Sequence, residues 1–155
     1  MKQIVVLGGG IGGYGSAILA KKKGFGVFLS DAGRIADRYK AKLDEWEVPY
    51  EEGGHTEERI LAATEVVKSP GIPDTAPMVR KIREAGIPVI SEMEFAGRYM
   101  GKAKCICITG SNGKTTTTSL IYKIMRDAGM NVALGGNIGE SFAWSVATGD
   151  YDWYV

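Results

Sequence analysis

The sequence has 155 residues, of which 45% are hydrophobic, 24% charged and 9% aromatic. This composition is that of an ordinary globular protein and excludes disordered, collagen-like and membrane-spanning classes. The formal net charge is +1, so no overall field draws nucleic acid or an anionic membrane surface to the chain.

Strands and helices are predicted to alternate from the N-terminus onward. Residues 4–7 form a short apolar run, a glycine turn covers 8–15, and 16–23 have a helix-compatible pattern. Residues 26–30 predict the next strand. These segments complete a βαβ unit of the usual size, so the two strands are expected to be parallel.

The same alternation continues to residue 100. The sequence pattern predicts helices at 34–47, 56–63 and 76–85 and strands at 65–68 and 87–90. Residues 69–73 break the pattern with two prolines and a glycine. Ser91 and Glu94 have the spacing of a capping box, which opens a helix holding Phe95 and Tyr99.

A short polar segment at 101–104 indicates a boundary between a first domain, residues 1–100, and a second, residues 101–155. The second repeats the alternation, with strands at 104–109, 131–134 and 151–155, a turn at 110–113 and a helix at 115–128. Since the sequence stops inside a strand pattern, we expect a part of a longer protein. Apolar faces, including Trp144 and Trp153, should then stay open and favour self-association or partial disorder.

A glycine-rich turn with a Lys-Thr pair lies between the strand and the helix of the second domain. Its candidate nucleotide-binding residues are Gly110, Ser111, Asn112, Gly113, Lys114, Thr115 and Thr116. Backbone amides of such a loop and the helix N-terminus hold a β-phosphate. Lys114 can reach the β- and γ-phosphates, and the Thr115 hydroxyl can ligate Mg²⁺. The loop is a shorter form of the general motif, and the alternative is a plain turn with a solvated lysine.

Glycines also cluster after the first strand, at Gly8, Gly10 and Gly13, in the spacing of a dinucleotide fingerprint. Asp31, at the end of the second strand, is placed to accept a ribose hydroxyl. The motif reports a pyrophosphate with a ribose, so it does not separate an NAD site from a UDP site. A glycine-rich turn with nothing bound is the alternative.

Two cysteines, Cys105 and Cys107, lie in an apolar run and share one face of the predicted strand. We interpret them as core thiols and not as metal ligands, because His55 is the single histidine. No signal peptide or membrane segment is predicted at the N-terminus, so the expected location is the cytoplasm.

Residues 109–116 read TGSNGKTT and resemble the short phosphate loop of the Mur ligase family. Residues 8–13, 69–73, 91–94 and 135–139 are similar to the member that adds D-glutamate to UDP-N-acetylmuramoyl-L-alanine. The resemblance spans the whole chain. It implies an α/β fold, with a Rossmann-like parallel-sheet domain followed by the first part of a P-loop ATPase α/β domain.

By the same resemblance, several residues are expected to hold the UDP substrate: Gly10, Ile11, Gly12, Gly13, Asp31, Ala32, Gly71 and Asn137. Ile11 and Gly12 would offer amides to the diphosphate, and Gly71 would line the uridine site. Ala32 and Gly33 stand where the family often has Thr-Arg, a departure in the region of uracil recognition. Asn137 has an alternative role as a turn residue before Gly139.

The resemblance implies ATP-dependent amide ligation in peptidoglycan synthesis through an acyl phosphate, with ATP, Mg²⁺ and D-glutamate. Lys114 and Thr115 are the candidate catalytic residues, the latter as metal ligand. Other metal ligands of the family have no match here, so these 155 residues alone are expected to show no ligase turnover. The full-length protein is expected to be a monomer. A non-catalytic UDP-sugar or nucleotide-binding module is the alternative. An NAD-dependent oxidoreductase would leave residues 110–116 unexplained.

Overall fold

Two parallel sheets organise the chain in a computed structural model that describes all of residues 1–155. The elements are, in order, β1 (Gln3–Leu7), α1 (Ile11–Lys22), β2 (Gly26–Asp31), α2 (Asp37–Glu45), β3 (Tyr50–Glu52), α3 (Glu57–Leu61), β4 (Glu65–Lys68), α4 (Pro77–Glu84), β5 (Val89–Ile90), α5 (Glu92–Gly97), β6 (Lys104–Cys105), α6 (Lys114–Asp127), β7 (Val132–Ala133), α7 (Phe142–Thr148) and β8 (Trp153–Tyr154). The fold is α/β, as the sequence predicts. None of the helices is long and apolar enough to cross a bilayer.

The first sheet has five parallel strands in the order β3-β2-β1-β4-β5. The strand β1 is central, and Ile4 to Leu7 are buried because both faces are covered. The order reverses between β1 and β4, so the loops that follow these two strands diverge. This opens a crevice at the carboxyl edge of the sheet, where α/β proteins bind ligands.

Helices cover both faces of the first sheet, and alternate residues of β1 point to different cores. Ile4 and Val6 belong to a cluster that α1, α2, α5 and α7 complete. Val5 and Leu7 belong to a smaller cluster with residues of α3 and α4. The apolar run of β1 therefore packs on both faces of the sheet, which explains why it is continuous and does not alternate with polar residues.

The second sheet has three short parallel strands in the order β6-β8-β7. Met125, Val132 and Val155 form its small core. The helix α6 packs there with one face only, so Leu120 and Ile124 are 56% and 59% exposed. The open apolar surface predicted for this half therefore lies on α6.

The helix α7, which the sequence analysis did not predict, crosses to the first sheet and packs against α1 and α5. Phe142 and Ala143 are buried, and the Trp144 ring lies 5.6 Å from the ring of Tyr14. Trp144 and Trp153 are both half-buried. The expectation that these two tryptophans stay open is therefore wrong.

Several predicted boundaries change, and one strand was not predicted. The helix α1 begins at Ile11, inside the predicted turn, and the glycines at 12, 13 and 15 let it pack against neighbouring chain where a side chain would not fit. The predicted strand 104–109 shortens to β6, since β6 pairs only with β8, which ends at Tyr154. The strand β3 escaped prediction because its sequence, Tyr-Glu-Glu, has no apolar run.

Only one of the two cysteines is even partly inside. Cys105 is half-buried and Cys107 exposed, with both thiols free and their Sγ atoms 3.5 Å apart. Burial, and then the neighbouring thiol, raise the pKa of Cys105 to about 11. The interpretation of both residues as core thiols is therefore wrong for Cys107.

Candidate nucleotide-binding sites

The loop after β1 is held by close packing of glycine backbone. Gly8 has a φ of +96° and donates its amide to the Ser30 carbonyl at 2.9 Å. A Cβ at Gly9 would lie 2.6 Å from Ile35, and one at Gly13 would collide with the backbone oxygen of Gly8. The loop therefore tolerates no side chains at these positions and has one defined shape.

The N-terminus of α1 carries amides with no acceptor in the protein. The first bond of the helix joins the Tyr14 amide to the Gly10 carbonyl at 3.1 Å, and Gly10 provides no side-chain cap. No acidic residue lies in the first turn, and nothing surrounds the Cβ position of Gly10 within 4 Å. The amides of Ile11 and Gly12, with the positive end of the helix dipole, are therefore available to an anion.

Asp31 fixes the same loop from the end of β2. Its Oδ2 accepts the Gly9 amide at 2.6 Å, and its Oδ1 accepts the Gly33 amide at 2.7 Å. Each carboxylate oxygen keeps a further lone pair. Asp31 is therefore a structural anchor of the glycine loop, and the ligand contact expected for it stays a prediction.

A cavity of about 490 Å³ opens beside this loop, on the side of the sheet that α3 and α4 cover. We call it the first cavity. It is lined by Gly8, Gly10, Asp31, Ala32, His55, Ser69, Gly71, Ile72, Ala76, Pro77, Met78 and Lys81. Three residues expected at the uridine end, Asp31, Ala32 and Gly71, thus lie in one cavity.

His55 and Lys81 line the first cavity although the sequence analysis assigned them no role. Neither belongs to a motif, and both reach the cavity only because β3 lies beside β2 and α4 beside α3. No local signal in the sequence could have identified them.

A partly buried hydrogen-bond network lies behind His55. The Ser30 side chain, fully buried, donates to Glu51 Oε1 at 2.6 Å and lies 2.7 Å from His55 Nδ1. Glu51 also accepts the amide and the hydroxyl of Thr56, at 2.7 and 2.5 Å. Burial alone would raise the pKa of Glu51, but the hydrogen bonds from Ser30 and Thr56 outweigh it and the pKa is lowered. The carboxylate is therefore ionised and purely an acceptor.

The N-terminus of α6 repeats the arrangement in an exposed form. Gly113 precedes the helix with a φ of +76°, and the Thr117 amide donates to the Gly113 carbonyl at 2.9 Å. No side chain caps the helix, and residues 110–117 are all exposed. The Lys114 ammonium donates to the Gly110 carbonyl, so the lysine folds back on its own loop.

A second cavity, of about 830 Å³, joins the two helix N-termini. Gly10, Ile11 and Gly12 line one part of it, and Lys114, Thr115 and Asn137 line another. The remaining predicted site residues do not line either cavity: Gly13, Gly110, Ser111, Asn112, Gly113 and Thr116. Of these, Gly13 is buried behind the glycine loop, whereas the others are exposed beside Lys114.

Glu92 lies in the second cavity and links the two halves of the chain. Its Oε1 accepts the amide of Ala143 at 3.0 Å, in the first turn of α7. A Cβ at Gly12 would collide with this carboxylate. Burial raises the pKa of Glu92, against the hydrogen bonds that it accepts from Ala143, Ser141 and Phe142.

No group of three or more His, Cys, Asp or Glu side chains is arranged to hold a metal ion. Thr115 can supply one hydroxyl oxygen at the start of α6, next to the free amides of the loop. Mg²⁺ commonly takes few protein ligands and completes its shell with phosphate and water oxygens. The residues present therefore fit a Mg²⁺ that arrives with a nucleotide.

Comparison with known families assigns both halves of the chain. Residues 2–91 match the family described as Mur ligase MurD-like, N-terminal domain. Residues 108–149 match the Mur ligase middle domain. The two matches lie on either side of the segment in which the chain passes from the first sheet to the second.

Named relatives agree over the full length of the chain. A UDP-N-acetylmuramoylalanine--D-glutamate ligase of Bacteroides fragilis is 62% identical over 155 residues, which is all of this chain and 35% of the relative. The protein of the same name from Bacteroides thetaiotaomicron is 59% identical over the same shares. The chain therefore spans about a third of the length of these relatives.

Solved structures share the fold. A murein peptide ligase of Psychrobacter arcticus matches all of this chain and 37% of its own, with a TM-score of 0.67 and 22% identity. A pseudomurein peptide ligase type C of Methanothermus fervidus matches all of this chain and 32% of its own, with a TM-score of 0.64 and 27% identity. Family matches, relatives and fold agree, and the chain belongs to the Mur ligase family.

Proposed function

We propose that this chain forms the UDP-substrate site and the phosphate loop of an ATP-dependent ligase that joins D-glutamate to UDP-N-acetylmuramoyl-L-alanine in peptidoglycan synthesis. The observation that carries the proposal is the second cavity, which connects two helix N-termini with free amides. Two phosphate-bearing ligands can approach each other there. The names of the relatives supply the substrate class.

The first helix N-terminus would bind the diphosphate of the UDP substrate. The amides of Ile11 and Gly12 have no protein acceptor, and the helix dipole favours negative charge at this point. From there the uridine enters the first cavity, between Asp31 and Ala32 on one side and Gly71 on the other. The rest of the substrate would extend through the second cavity and contact Asn137, one of its lining residues.

The second helix N-terminus would bind the phosphates of ATP through residues 110–116. Lys114 would exchange its bond with the Gly110 carbonyl for the β- and γ-phosphates, which are stronger, charged acceptors. Thr115 would hold Mg²⁺, whose charge neutralises that of the phosphates when it is bound. The role of the loop is positioning and charge stabilisation.

The reaction would then proceed in two steps. The substrate carboxylate attacks the γ-phosphorus and ADP leaves, which gives an acyl phosphate. The amine of D-glutamate attacks the acyl carbon, phosphate leaves and an amide forms. Lys114 stabilises charge on the transferred phosphoryl group in the first step.

We also propose a domain boundary near residues 100 and 101, with the UDP-substrate domain before it and the start of the ATP-binding domain after it. The change of sheet between Ile90 and Lys104 supports this division. The helix α7 is then the element that docks the second domain on the first. A monomeric full-length protein and a cytoplasmic location remain predictions.

Isothermal titration of the chain with UDP-N-acetylmuramoyl-L-alanine, UDP and NAD tests the first site. We expect both UDP ligands to bind and NAD not to bind. Binding of NAD alone would contradict the proposal. Binding of the UDP ligands by a chain that never binds ATP, with or without Mg²⁺, would favour the non-catalytic nucleotide-binding module.

A further inference from the structure

His55 lines the first cavity, into which the uridine would extend under the proposed function. The diphosphate is proposed at the end of β1 and the ribose near Asp31 at the end of β2. His55 follows β3, the next strand outward in the sheet. It shares the cavity with Ile72 and Met78, whose apolar side chains suit the face of a flat ring.

The network behind His55 determines which ring nitrogen carries the proton. Because the Glu51 carboxylate can only accept, the Ser30 hydroxyl donates its single proton to Glu51 Oε1. The Ser30 oxygen is then left as an acceptor for His55 Nδ1, 2.7 Å away. A neutral His55 therefore carries its proton on Nδ1 and has an unprotonated Nε2.

An unprotonated Nε2 distinguishes between pyrimidines. Uracil carries a hydrogen on N3, between two carbonyl oxygens, whereas N3 of cytosine is itself an acceptor. A fixed acceptor can accept a hydrogen bond from the N3–H of uracil. Against cytosine it faces the N3 lone pair, so both nitrogens stay without a hydrogen-bond partner. Lys81, in the same cavity, keeps N–H donors for a base carbonyl although it also pairs with Glu57 at 2.5 Å.

We propose that His55 is a specificity-determining residue whose Nε2 accepts the N3–H of a uracil base, with Ser30 and Glu51 setting the tautomer. The inference rests on the proposed function, because it requires a nucleoside diphosphate in the first cavity. It gives uracil recognition to a residue outside the glycine motifs. It also supplies a polar contact where Ala32 and Gly33 have no side chain able to hydrogen-bond.

Nitrogen-detected NMR of the ring tests this in the unaltered chain. His55 is the single histidine, so its two ring nitrogens give an unambiguous signal in protein labelled with ¹⁵N. At pH 8 we expect the proton on Nδ1, and a shift of Nε2 when UDP is added that CDP does not reproduce. A proton on Nε2 in the free chain, or equal shifts with both ligands, would overturn the inference.

Titration of a variant measures the size of the effect. In the unaltered chain we expect UDP to bind about tenfold more tightly than CDP, as suits one well-placed hydrogen bond in a partly buried site. His55→Phe keeps a flat ring but has no acceptor. The affinity for UDP should therefore fall close to that for CDP, while the affinity for CDP changes little. Glu58→Gln, an exposed change on α3, serves as control and should keep the preference.

The outcomes separate the two proposals. If UDP binds and His55→Phe keeps the preference over CDP, the role of His55 is refuted and the proposed function stands. If UDP does not bind to the unaltered chain, the proposed function fails and the inference fails with it. Because the NMR experiment needs no substitution, a misfolded variant does not prevent a decision.

Discussion

The N-termini of α1 and α6 arise from the same sequence logic but are built differently. Each follows a strand and a glycine turn, and each presents free amides. Residues 13–20 of α1 are all buried, whereas in α6 only Met125 is. A glycine-loop motif therefore indicates where an anion can bind but does not determine how rigid the site is.

The difference has identifiable contacts. At α1, Gly13 rests on the backbone of Gly8, and Asp31 accepts the amides of Gly9 and Gly33, in the loops after β1 and β2. At α6, Lys114 bonds to the Gly110 carbonyl of its own loop, and residues 110–117 are all exposed. We therefore expect the first loop to be formed before a ligand arrives and the second to become ordered on nucleotide binding.

Gly13→Ala should have the largest effect of the substitutions at the two loops, because its Cβ would collide with the backbone oxygen of Gly8. We expect a loss of about 3 kcal/mol or more in the free energy of unfolding, measured by urea denaturation. Gly97→Ala is the control, since nothing lies within 4 Å of that position. Equal stability of the two variants would show that the first loop is not tightly packed.

Glu92→Ala should come next, because it removes the acceptor for the Ala143 amide, which lies in the buried first turn of α7. We expect a loss of about 1–3 kcal/mol. Glu92→Gln keeps an acceptor and should lose less.

The same pair of variants gives a pH test with a defined sign. The pKa of Glu92 is raised in the folded state, so its carboxyl keeps its proton to a higher pH than in the unfolded chain. Its contribution to stability therefore falls as the pH rises from the unfolded-state pKa to the folded-state pKa. Glu92→Gln lacks this contribution. The stability of Glu92→Gln relative to the unaltered chain should therefore increase from pH 4.5 upward. Urea denaturation over a pH series measures this difference. A difference that does not change with pH would contradict the raised pKa of Glu92.

Asp31→Asn should destabilise the chain even without ligand. An amide group has one oxygen for the two amides of Gly9 and Gly33, and its NH₂ group would face the other donor. We expect a loss of about 1–2 kcal/mol in thermal or urea unfolding. Unchanged stability would mean that Asp31 serves a ligand and does not hold the loop.

Lys114→Ala should weaken ATP binding about tenfold, the loss of one charge-assisted hydrogen bond. It should leave the stability of the free chain nearly unchanged, because the loop is exposed. Lys102→Ala, an exposed lysine outside the loop, is the control for the loss of one positive charge. Isothermal titration with Mg²⁺ and ATP measures the effect, and equal affinities for the two variants would refute the role of Lys114.

Leu120→Ala should have the smallest effect on stability, within about 0.5 kcal/mol, because the side chain is 56% exposed. Leu19→Ala in the buried part of α1 should cost about 2–5 kcal/mol. Urea denaturation of this pair compares the two helices directly. A large loss for Leu120→Ala would show that α6 is covered in solution, for example by self-association.

Sequence reasoning located both loops because their signals are local. The apolar run before Gly8, the phosphate loop at 110–116 and the capping box at Ser91 depend only on neighbouring residues, and the Glu94 amide does bond to Ser91 Oγ at 3.1 Å. Contacts between distant segments could not be predicted in this way. Glu92 and Ala143 are 51 residues apart, and no periodicity in either segment announces their contact.

The helix α7 and the position of His55 show the same limit. The segment 142–148 is short and largely apolar. Its helix is stabilised by the Ser141 cap and by packing against α1. His55 reaches the first cavity through the pairing of β3 with β2, a strand with no apolar pattern of its own. Topology, and not local propensity, places these residues.

The most direct test of two separate anion sites that share one cavity is amide NMR of the ¹⁵N-labelled chain, titrated first with UDP and then with ATP and Mg²⁺. We expect UDP to shift the amides of Ile11 and Gly12, and ATP to shift those of Thr115 and Thr116. Shifts of a single set by both ligands, or of neither set by UDP, would contradict the assignment of one nucleotide to each helix.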